Sequence, residues 1–458
     1  MKIMKFGGSS IQDAERIQKV GGIIARETGS KPVVILSAMK GVTDLLIACA
    51  EKAENANPDY RDHYSEIRQK HQKAVQALFT PVEKTAAIEA LTPLLDELQD
   101  LLHGIELVRE CSPRSLDLVM SFGELLSCTI FTLYLKSLRV PATLVDARTI
   151  IRTNKNYGNA DVDFEISYNT IQQKLAHFDS IPIITGFIAS DENGVTTTIG
   201  RNGSDYTASI VGAGLGAEVI EIWTDVDGVY SADPRYVRNA FVQPAISIQD
   251  AMELAYFGAK VIHPYTLIPA VEKKIPILIK NTFNPSAEGT LITEKSPPSG
   301  RMITGIASVE NVALINVEGG GMIGVPGIAS RVFTALAHAH INIIMISQAS
   351  SEHSICIVLR ETEASKAIRA LETELVEERK TKKIQRFELK DSLEIIAVVG
   401  ENMRGTPGIS GKLFSALGKE HINVLAIAQG SSERNISFVV HKKDREGALN
   451  TIHRAFLE

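Results

Sequence analysis

Three short stretches of this chain combine glycine, hydroxyl, carboxylate and basic residues at spacings that can hold small anions. Gly200-Arg201-Asn202-Gly203-Ser204-Asp205 opens an apolar helix rich in small residues. Glycines beside Ser204 let backbone N–H groups approach an anion, and the start of the following helix adds partial positive charge. Val219 to Trp223 reads as a strand that ends in the acidic turn Thr224-Asp225-Val226-Asp227-Gly228. Open α/β sheets bind ligands at such carboxyl ends of strands. Two ordinary surface loops are the plainer reading, and the density of Gly, Asp, Ser and Arg on both sides of one buried unit argues against it. Near the start, Lys2 to Phe6 is a strand, Gly7-Gly8-Ser9-Ser10 follows at once, and Asp13 to Thr28 has helical spacing through Ile17, Val20, Ile23 and Ile24. Strand, double glycine, hydroxyls and helix make a phosphate cradle, to which Lys5 brings a point charge. Taken alone, that glycine pair fits a plain tight turn equally well. The G-x-x-x-x-G-K-[ST] loop is absent, and so is a protein-kinase catalytic loop.

Several elements must position these loops. Val33 to Ser37 is a second buried strand, followed by the polar run Ala38-Met39-Lys40-Gly41-Val42-Thr43-Asp44. Glu51 to about Cys111 is charged, low in glycine and helical, with no chemistry in it. Leu116 to Thr129 is an apolar helix that carries Ser121-Phe122-Gly123-Glu124. A lone Glu among Leu, Val and Met is costly to bury unless it is paired or binds something. An internal salt bridge and a substrate amine account for Glu124 equally well at this point. Thr143 to Asp146 and Ile181 to Ile188 are further strands, and the alternation up to about residue 300 indicates an α/β domain with a mostly parallel sheet. Gly212-Ala213-Gly214-Leu215-Gly216-Ala217 imitates a dinucleotide fingerprint, but it sits late in a helix, where close helix packing explains it better. Phe257 to Pro264 ends a helix, and its Lys260 either reaches a ligand or is solvated. Ser296-Pro297-Pro298-Ser299-Gly300 reads as a linker.

Beyond the linker the chain repeats itself. Pro326 to Leu359 aligns without a gap on Pro407 to Val440, pairing Gly327 with Gly408, Phe333 with Phe414, His340 with His421, Asn342 with Asn423 and Gln348 with Gln429. Two copies of one unit are therefore present. Each reads strand, Pro-Gly, helix, strand, turn, strand, helix, with the proline near the helix's first turn. A helix N-terminus there can hold a carboxylate. Asn342 and Asn423 could meet an amino group, and Gln348 and Gln429 a carboxylate or side chain. The alternative is a packing repeat without a ligand. His340 and His421 fit helix C-termini better than a metal site. Copy one has a candidate fourth strand at Ile384 to Leu389, whereas copy two lacks one. Met302 to Ser308 is expected to supply it, which would make copy one an insertion in copy two.

The chain has 458 residues, 44% hydrophobic and 22% charged, with a formal net charge of −6. Two or three domains are expected, and general nucleic-acid binding is not. Four cysteines show neither metal-ligand pairing nor a disulfide framework, so a reduced, cytoplasmic setting fits and no protein metal cluster is expected. The N-terminus lacks a signal-peptide core, and no apolar run approaches the roughly 20 residues that span a bilayer.

Lys5 to Ser10, Ser37 to Leu46, Ser121 to Ser127, Gly200 to Ala208, Trp223 to Arg235 and Phe257 to Pro264, in that order, resemble the motifs of aspartate kinases. The duplicated tail resembles their paired ACT domains. The resemblance covers essentially the whole chain and is nearest to the kinase half of the bifunctional aspartokinase–homoserine dehydrogenases. No dehydrogenase segment is expected in this sequence. Ser9 stands where many relatives have Thr, which keeps the hydroxyl. The resemblance implies an amino acid kinase fold, a mostly parallel central sheet with helices on both faces, over residues 1–295. Two α+β, ferredoxin-like ACT domains would follow over 302–458, copy one at about 309–390 and copy two at about 392–458. It implies transfer of the γ-phosphoryl group of ATP, with Mg²⁺, to L-aspartate. By motif match, Lys5 and Asp205 are catalytic. Thr43, Glu124, Arg201 and Ser204 bind aspartate. Lys5, Gly7, Gly8, Ser9, Thr224, Asp225, Tyr230, Asp233, Arg235 and Lys260 bind ATP. Gly327, Ile328, Asn342, Gln348, Gly408, Ile409, Asn423 and Gln429 would bind an end-product amino acid, threonine ahead of lysine. A homodimer or homotetramer through the ACT domains is implied. Another amino acid kinase, acting on glutamate or acetylglutamate, is opposed by the paired ACT units and the Ser121–Ser127 segment. A non-catalytic amino-acid sensor is opposed by intact Lys5, Arg201 and Asp205.

Overall fold

The computed structural model describes residues 1–258, 264–295, 300–322, 324–348 and 353–458. The first strands and helices are β1 (Lys2–Phe6), α1 (Ala14–Arg26), β2 (Val33–Leu36) and α2 (Val42–Glu54). Asp13 caps α1 by accepting from the Arg16 N–H, which sets the helix start that the apolar spacing suggested. The helical excursion is α3 (Tyr60–Leu78) and α4 (Pro81–Val108). Then come α5 (Pro113–Ser137), β3 (Ala142–Val145), α6 (Phe164–Leu175), β4 (Ile181–Thr185), the hairpin β5 (Ile188–Ser190) and β6 (Thr196–Thr198), α7 (Gly203–Leu215) and β7 (Val219–Thr224). The run ends with β8 (Ala245–Ser247), α8 (Ile248–Tyr256), α9 (Ile268–Glu272), β9 (Ile277–Asn281) and β10 (Thr290–Thr293).

The first sheet has the order β3-β4-β2-β1-β7-β9-β10-β8. β10 and β8, parallel to each other, run opposite to β3, β4, β2, β1, β7 and β9, which all run parallel. Their carboxyl ends therefore share one edge. β1 and β2 are almost continuously buried, as expected of strands covered on both faces. α5 packs over β2, β3 and β4, with α1 to α4 outside it, and α7 packs over β1, β2 and β7 with α6 and α9 outside it. Gly212 and Gly214 of α7 face Ile220 and Ile171 at distances that leave no room for a Cβ, so this glycine run serves helix packing. α5 corrects one expectation: it is long and apolar enough to cross a bilayer by length and composition, but 83% of that apolar window is buried within the protein. It is apolar all round because it is the central helix of its layer.

The compact units do not divide at residue 295. The first comprises Met1–Val229, Pro244–Ile248 and Val261–Ser296, and the second Tyr230–Gln243, Gln249–Lys260 and Pro297–Glu458. Ala232, Val237, Tyr236 and Phe241 join the second unit's core with Ile306, Ile396, Phe438, Leu449 and Ile452. Nothing in the strand–helix alternation marks such an excursion, because its apolar residues are as dense as those around them.

The second unit holds β11 (Gly305–Glu318), α10 (Ile328–His338), β12 (Met345–Gln348), β13 (Ser354–Arg360), α11 (Ala364–Glu374), α12 (Val376–Lys380), β14 (Arg386–Val399), α13 (Ile409–Lys419), β15 (Ala426–Ala428), β16 (Asn435–His441) and α14 (Arg445–Leu457). Its sheet is antiparallel, in the order β12-β13-β11-β14-β16-β15. β11 and β14 serve both copies. Val312–Glu318 pairs with Arg386–Leu393 in copy one, and Gly305–Val309 pairs with Ile395–Val399 in copy two. A register shift after Val309, with Asn311 at φ 55°, separates the two halves of β11. Pro326 and Pro407 precede their helices instead of standing in the first turn. Gly327 (φ 93°) and Gly408 (φ 89°) take the N-caps, a conformation that glycine adopts without strain. His340 (φ 51°) and His421 (φ 56°) follow the helix ends.

Candidate active site

The site is built from the loops at the shared carboxyl edge of the parallel strands. Lys5 lies in β1, 9% exposed, and its Nζ forms an ion pair with Asp205 Oδ1 at 2.5 Å. Asp205 stands in the first turn of α7, next to Ser204, and both are buried. Asn202 caps this helix in the left-handed region without a side-chain bond, so the helix's first amides keep their partial charge for a ligand. Ser204 is seated by Gly186 after β4: a Cβ on Gly186 would stand 2.6 Å from the Ser204 hydroxyl.

The loop after β1 is locked to its neighbours on both sides. The Gly7 N–H points at the Trp223 carbonyl (3.4 Å), and the Lys40 N–H donates to the Gly8 carbonyl (3.2 Å). Gly8 comes so close that a Cβ there would stand 2.6 Å from the Ala38 oxygen. Gly8 to Ile11 is a 3₁₀ turn, and Ser10 shares a 2.8 Å hydroxyl contact with Thr282 after β9. Arg16 of α1 donates to the Ser9 carbonyl at 2.5 Å and stacks over Phe283. Thr224 and Asp225 end β7 in the same row; the Thr282 N–H donates to the Thr224 carbonyl, and Asn281 and Asn284 hold Asp227.

Glu124 reaches this row from below. It is 2% exposed on α5, and its Oε1 accepts from the Ala38 N–H at 3.0 Å. Its Oε2 is buried with no hydrogen-bond partner. Burial pushes the carboxyl from 4.5 up to about 8, and the Ala38 hydrogen bond only partly opposes this. No internal salt bridge satisfies Glu124 among the described residues, so of the two readings left open by the sequence, an incoming cation is the one with a free acceptor waiting. Three residues later, Ser127 donates to the Ser37 carbonyl (2.8 Å) and fixes the same loop. Thr43 is half-buried in the first turn of α2, at the end of that loop. Arg201 is exposed, and no carboxylate pairs with it among the described residues.

Residues 1–281 match the amino acid kinase family, and residues 315–375 and 396–456 each match the ACT domain. Aspartokinase 1, chloroplastic, of Arabidopsis thaliana is 34% identical over 467 residues, which cover 100% of this chain and 80% of that protein. This chain belongs to the aspartokinases. Bifunctional aspartokinase/homoserine dehydrogenase 2, chloroplastic, of the same plant is 38% identical over 463 residues, 99% of this chain and 50% of that protein, so the chain spans about half the length of such relatives. The crystal structure of E. coli aspartokinase III with aspartate and ADP superposes with a TM-score of 0.82 at 30% identity, covering all of both chains. The lysine and aspartate complex of that enzyme, in its T-state, gives 0.85.

Against the motif match, the structure gathers Lys5, Gly7, Gly8, Ser9, Thr43, Glu124, Ser204, Asp205, Thr224 and Asp225 along one edge of the first unit, with Arg201 exposed just before α7. Tyr230, Asp233 and Arg235 lie in the second unit, where Arg235 pairs with Asp233 at 2.6 Å and with Glu310 at 3.5 Å. Lys260 lies outside the described residues. In the second unit, Gly408, Ile409 and Gln429 line a cavity of about 130 Å³ with Met403, Thr406, Ser410, Glu433 and Ile436. Asn423 is exposed and is not part of that lining. In copy one, Gly327 and Ile328 start α10, and Asn342 and Gln348 are exposed. A cavity of about 360 Å³ in the first unit lies at the amino ends of β2, β3 and β4, away from this row. Sequence reasoning missed Ser10, Asp117 and Ser127. Asp117 stands seven residues before Glu124, two helical turns away on the same face, and that spacing was the available signal.

Proposed function

We propose that this chain transfers the γ-phosphoryl group of ATP to the side-chain carboxylate of L-aspartate, giving ADP and 4-phospho-L-aspartate. This would open the route to lysine, threonine and methionine, in the cytoplasm and under feedback by an end product. The observation that carries the reading is the unpartnered, buried Oε2 of Glu124 in the same row of loops as the Lys5–Asp205 pair. The first is a socket for an ammonium group, the second an anion site. An amino acid acceptor and a polyphosphate donor satisfy both.

The acceptor carboxylate is already ionised at neutral pH, so no general base is needed, and the work is positioning and charge compensation. Lys5 Nζ, held by Asp205, meets the phosphates, as do the amides of Gly8 and Ser9 and the start of α7. Glu124 takes the substrate ammonium, Arg201 a substrate carboxylate as a bidentate pair, and Thr43 and Ser204 add hydrogen bonds. Thr224 and Asp225 serve the nucleotide, with Tyr230, Asp233, Arg235 and Lys260 assigned there by motif match alone. Among the described residues no group of three His, Cys, Asp or Glu side chains could hold a metal ion by itself. Mg²⁺ would enter with the phosphates, with Asp205 as the nearest carboxylate to hold it, and would offset phosphate charge. The copy-two cavity supports an amino-acid effector, with Gly408, Ile409 and Gln429 as contacts, and with Gly327, Ile328, Asn342, Gln348 and Asn423 assigned by repeat; threonine is put before lysine by the resemblance alone. Exposed Ile346 and Ile427 on the short strands β12 and β15 support assembly into a dimer or tetramer through this region.

The test is aspartate-dependent ADP release by wild type and Lys5→Ala. Lys5→Ala should lower kcat by about three orders of magnitude or more with little change in KM. No ADP release with aspartate, or near-wild-type turnover of the variant, would overturn the proposal.

A further inference from the structure

Asp117 is a fully buried carboxylate on α5 that the chemistry above does not use. No cation pairs with it among the described residues. Three neutral donors satisfy it instead. The N–H groups of Gly158 and Thr198 donate to Oδ2 at 2.9 Å each, and the Thr198 hydroxyl donates to Oδ1 at 2.7 Å. Burial pushes the carboxyl above its usual range, and these hydrogen bonds pull against the rise. An isolated buried charge of this kind is expensive, and simple packing would be served better by an apolar residue.

What it holds is specific. Thr198 ends β6, and three residues later comes Arg201. The Ala160 N–H donates to the Thr198 carbonyl at 2.9 Å, which ties the 158–160 segment to the same strand. Gly200 (φ 79°) lies against Asn159 so tightly that a Cβ would stand 2.1 Å from its Oδ1. The backbone that leads into Arg201 is thus clamped from both sides, while the Arg201 side chain itself is exposed. Asp117 and Glu124 are two turns apart on one helix, about 10 Å along its axis.

We propose that Asp117 is a positioning residue, which, through Thr198 and Gly158, sets the backbone from which Arg201 reaches the acceptor's carboxylate. One rigid helix then fixes both ends of amino-acid recognition: Glu124 directly at the ammonium, and Asp117 indirectly at the carboxylate. The inference rests on the reading of Arg201 above.

The experiment is steady-state kinetics of Asp117→Asn, Thr198→Val and Thr198→Ser in the full chain, alone and with Arg201→Ala. Asp117→Asn should raise KM for aspartate about tenfold, or about 1.4 kcal/mol, with KM for ATP within about twofold and kcat within about threefold. Thr198→Val should move aspartate KM in the same direction by less, and Thr198→Ser, which keeps the hydroxyl donor, should restore it. In the Arg201→Ala background Asp117→Asn should add nothing further. If Asp117→Asn fails to fold, Thr198→Val against Thr198→Ser decides the matter. Equal losses for aspartate and ATP, or full additivity with Arg201→Ala, would reduce Asp117 to a structural carboxylate. If Arg201→Ala leaves aspartate KM unchanged, the reading of Arg201 falls and this inference with it. If Arg201→Ala raises it while neither Asp117→Asn nor Thr198→Val does, the inference alone falls.

Discussion

Replacing Glu124 by Gln tests the site through its protons. Gln keeps an oxygen for the Ala38 N–H and nearly the same volume, and removes only the ability to ionise. The rise from 4.5 to about 8 corresponds to roughly 5 kcal/mol of resistance to ionisation, at 1.36 kcal/mol per pH unit. The folded state therefore holds a proton that the unfolded chain releases between those values. Stability from this group is complete below pH 4.5 and is lost as pH rises through 8. Between pH 6 and pH 8 the loss should be roughly 2 kcal/mol. Urea unfolding of wild type and Glu124→Gln at both pH values isolates the term, because all other groups cancel in the difference. The ligand side gives a second readout. At pH 7 the empty site is protonated, and an ammonium against Oε2 favours the ionised form, so aspartate binding should release about one proton per site. Calorimetry in two buffers of different ionisation enthalpy measures this. Glu124→Gln should release none and bind aspartate more weakly by about 2–3 kcal/mol, or roughly 30- to 150-fold. Parallel pH–stability curves, with equal proton release from both proteins, would refute the reasoning.

Two other outcomes are expected. Threonine should inhibit aspartate-dependent ADP release, and Gln429→Ala should raise the half-inhibitory concentration about tenfold; if neither threonine nor lysine alters rate or substrate affinity, the regulatory reading fails. His71 is fully buried on α3, with Nδ1 on the Ile67 carbonyl at 2.7 Å, and burial pushes it from 6.5 down to about 4. Stability from the neutral ring is present above pH 6.5 and lost as pH falls toward 4, so His71→Leu should flatten the acid limb of a pH–stability profile by roughly 2 kcal/mol between pH 6.5 and 4.5; an unchanged limb would count against it.

The parts legible in the sequence were those where local chemistry and tertiary role coincide. Lys2–Phe6 is a strand as read, and the glycine turn after it was legible as a turn, whereas the close approach of Gly8 to Ala38 was not. The internal repeat, with its helix-terminal His340 and His421, was equally plain. The role of Glu124 was not, because an internal ion pair and an open socket look the same until the surrounding groups are placed. Asp117 escaped because its partners, Gly158 and Thr198, are remote in the chain. The excursion of Tyr230–Gln243 into the second unit escaped because apolar density does not say which core a segment joins.

The sharing of β11 and β14 by both regulatory repeats has a practical consequence. Copy two cannot be excised or transplanted as one continuous segment: a cut between Val309 and Val312, or at Ser392, parts its outer strand Gly305–Val309 from Ile395–Val399 and leaves a raw sheet edge. Fragments made that way should clump instead of folding separately. Any chimera that exchanges effector preference must move residues 305–458 as one block, or keep both long strands and change only the helices and turns around them.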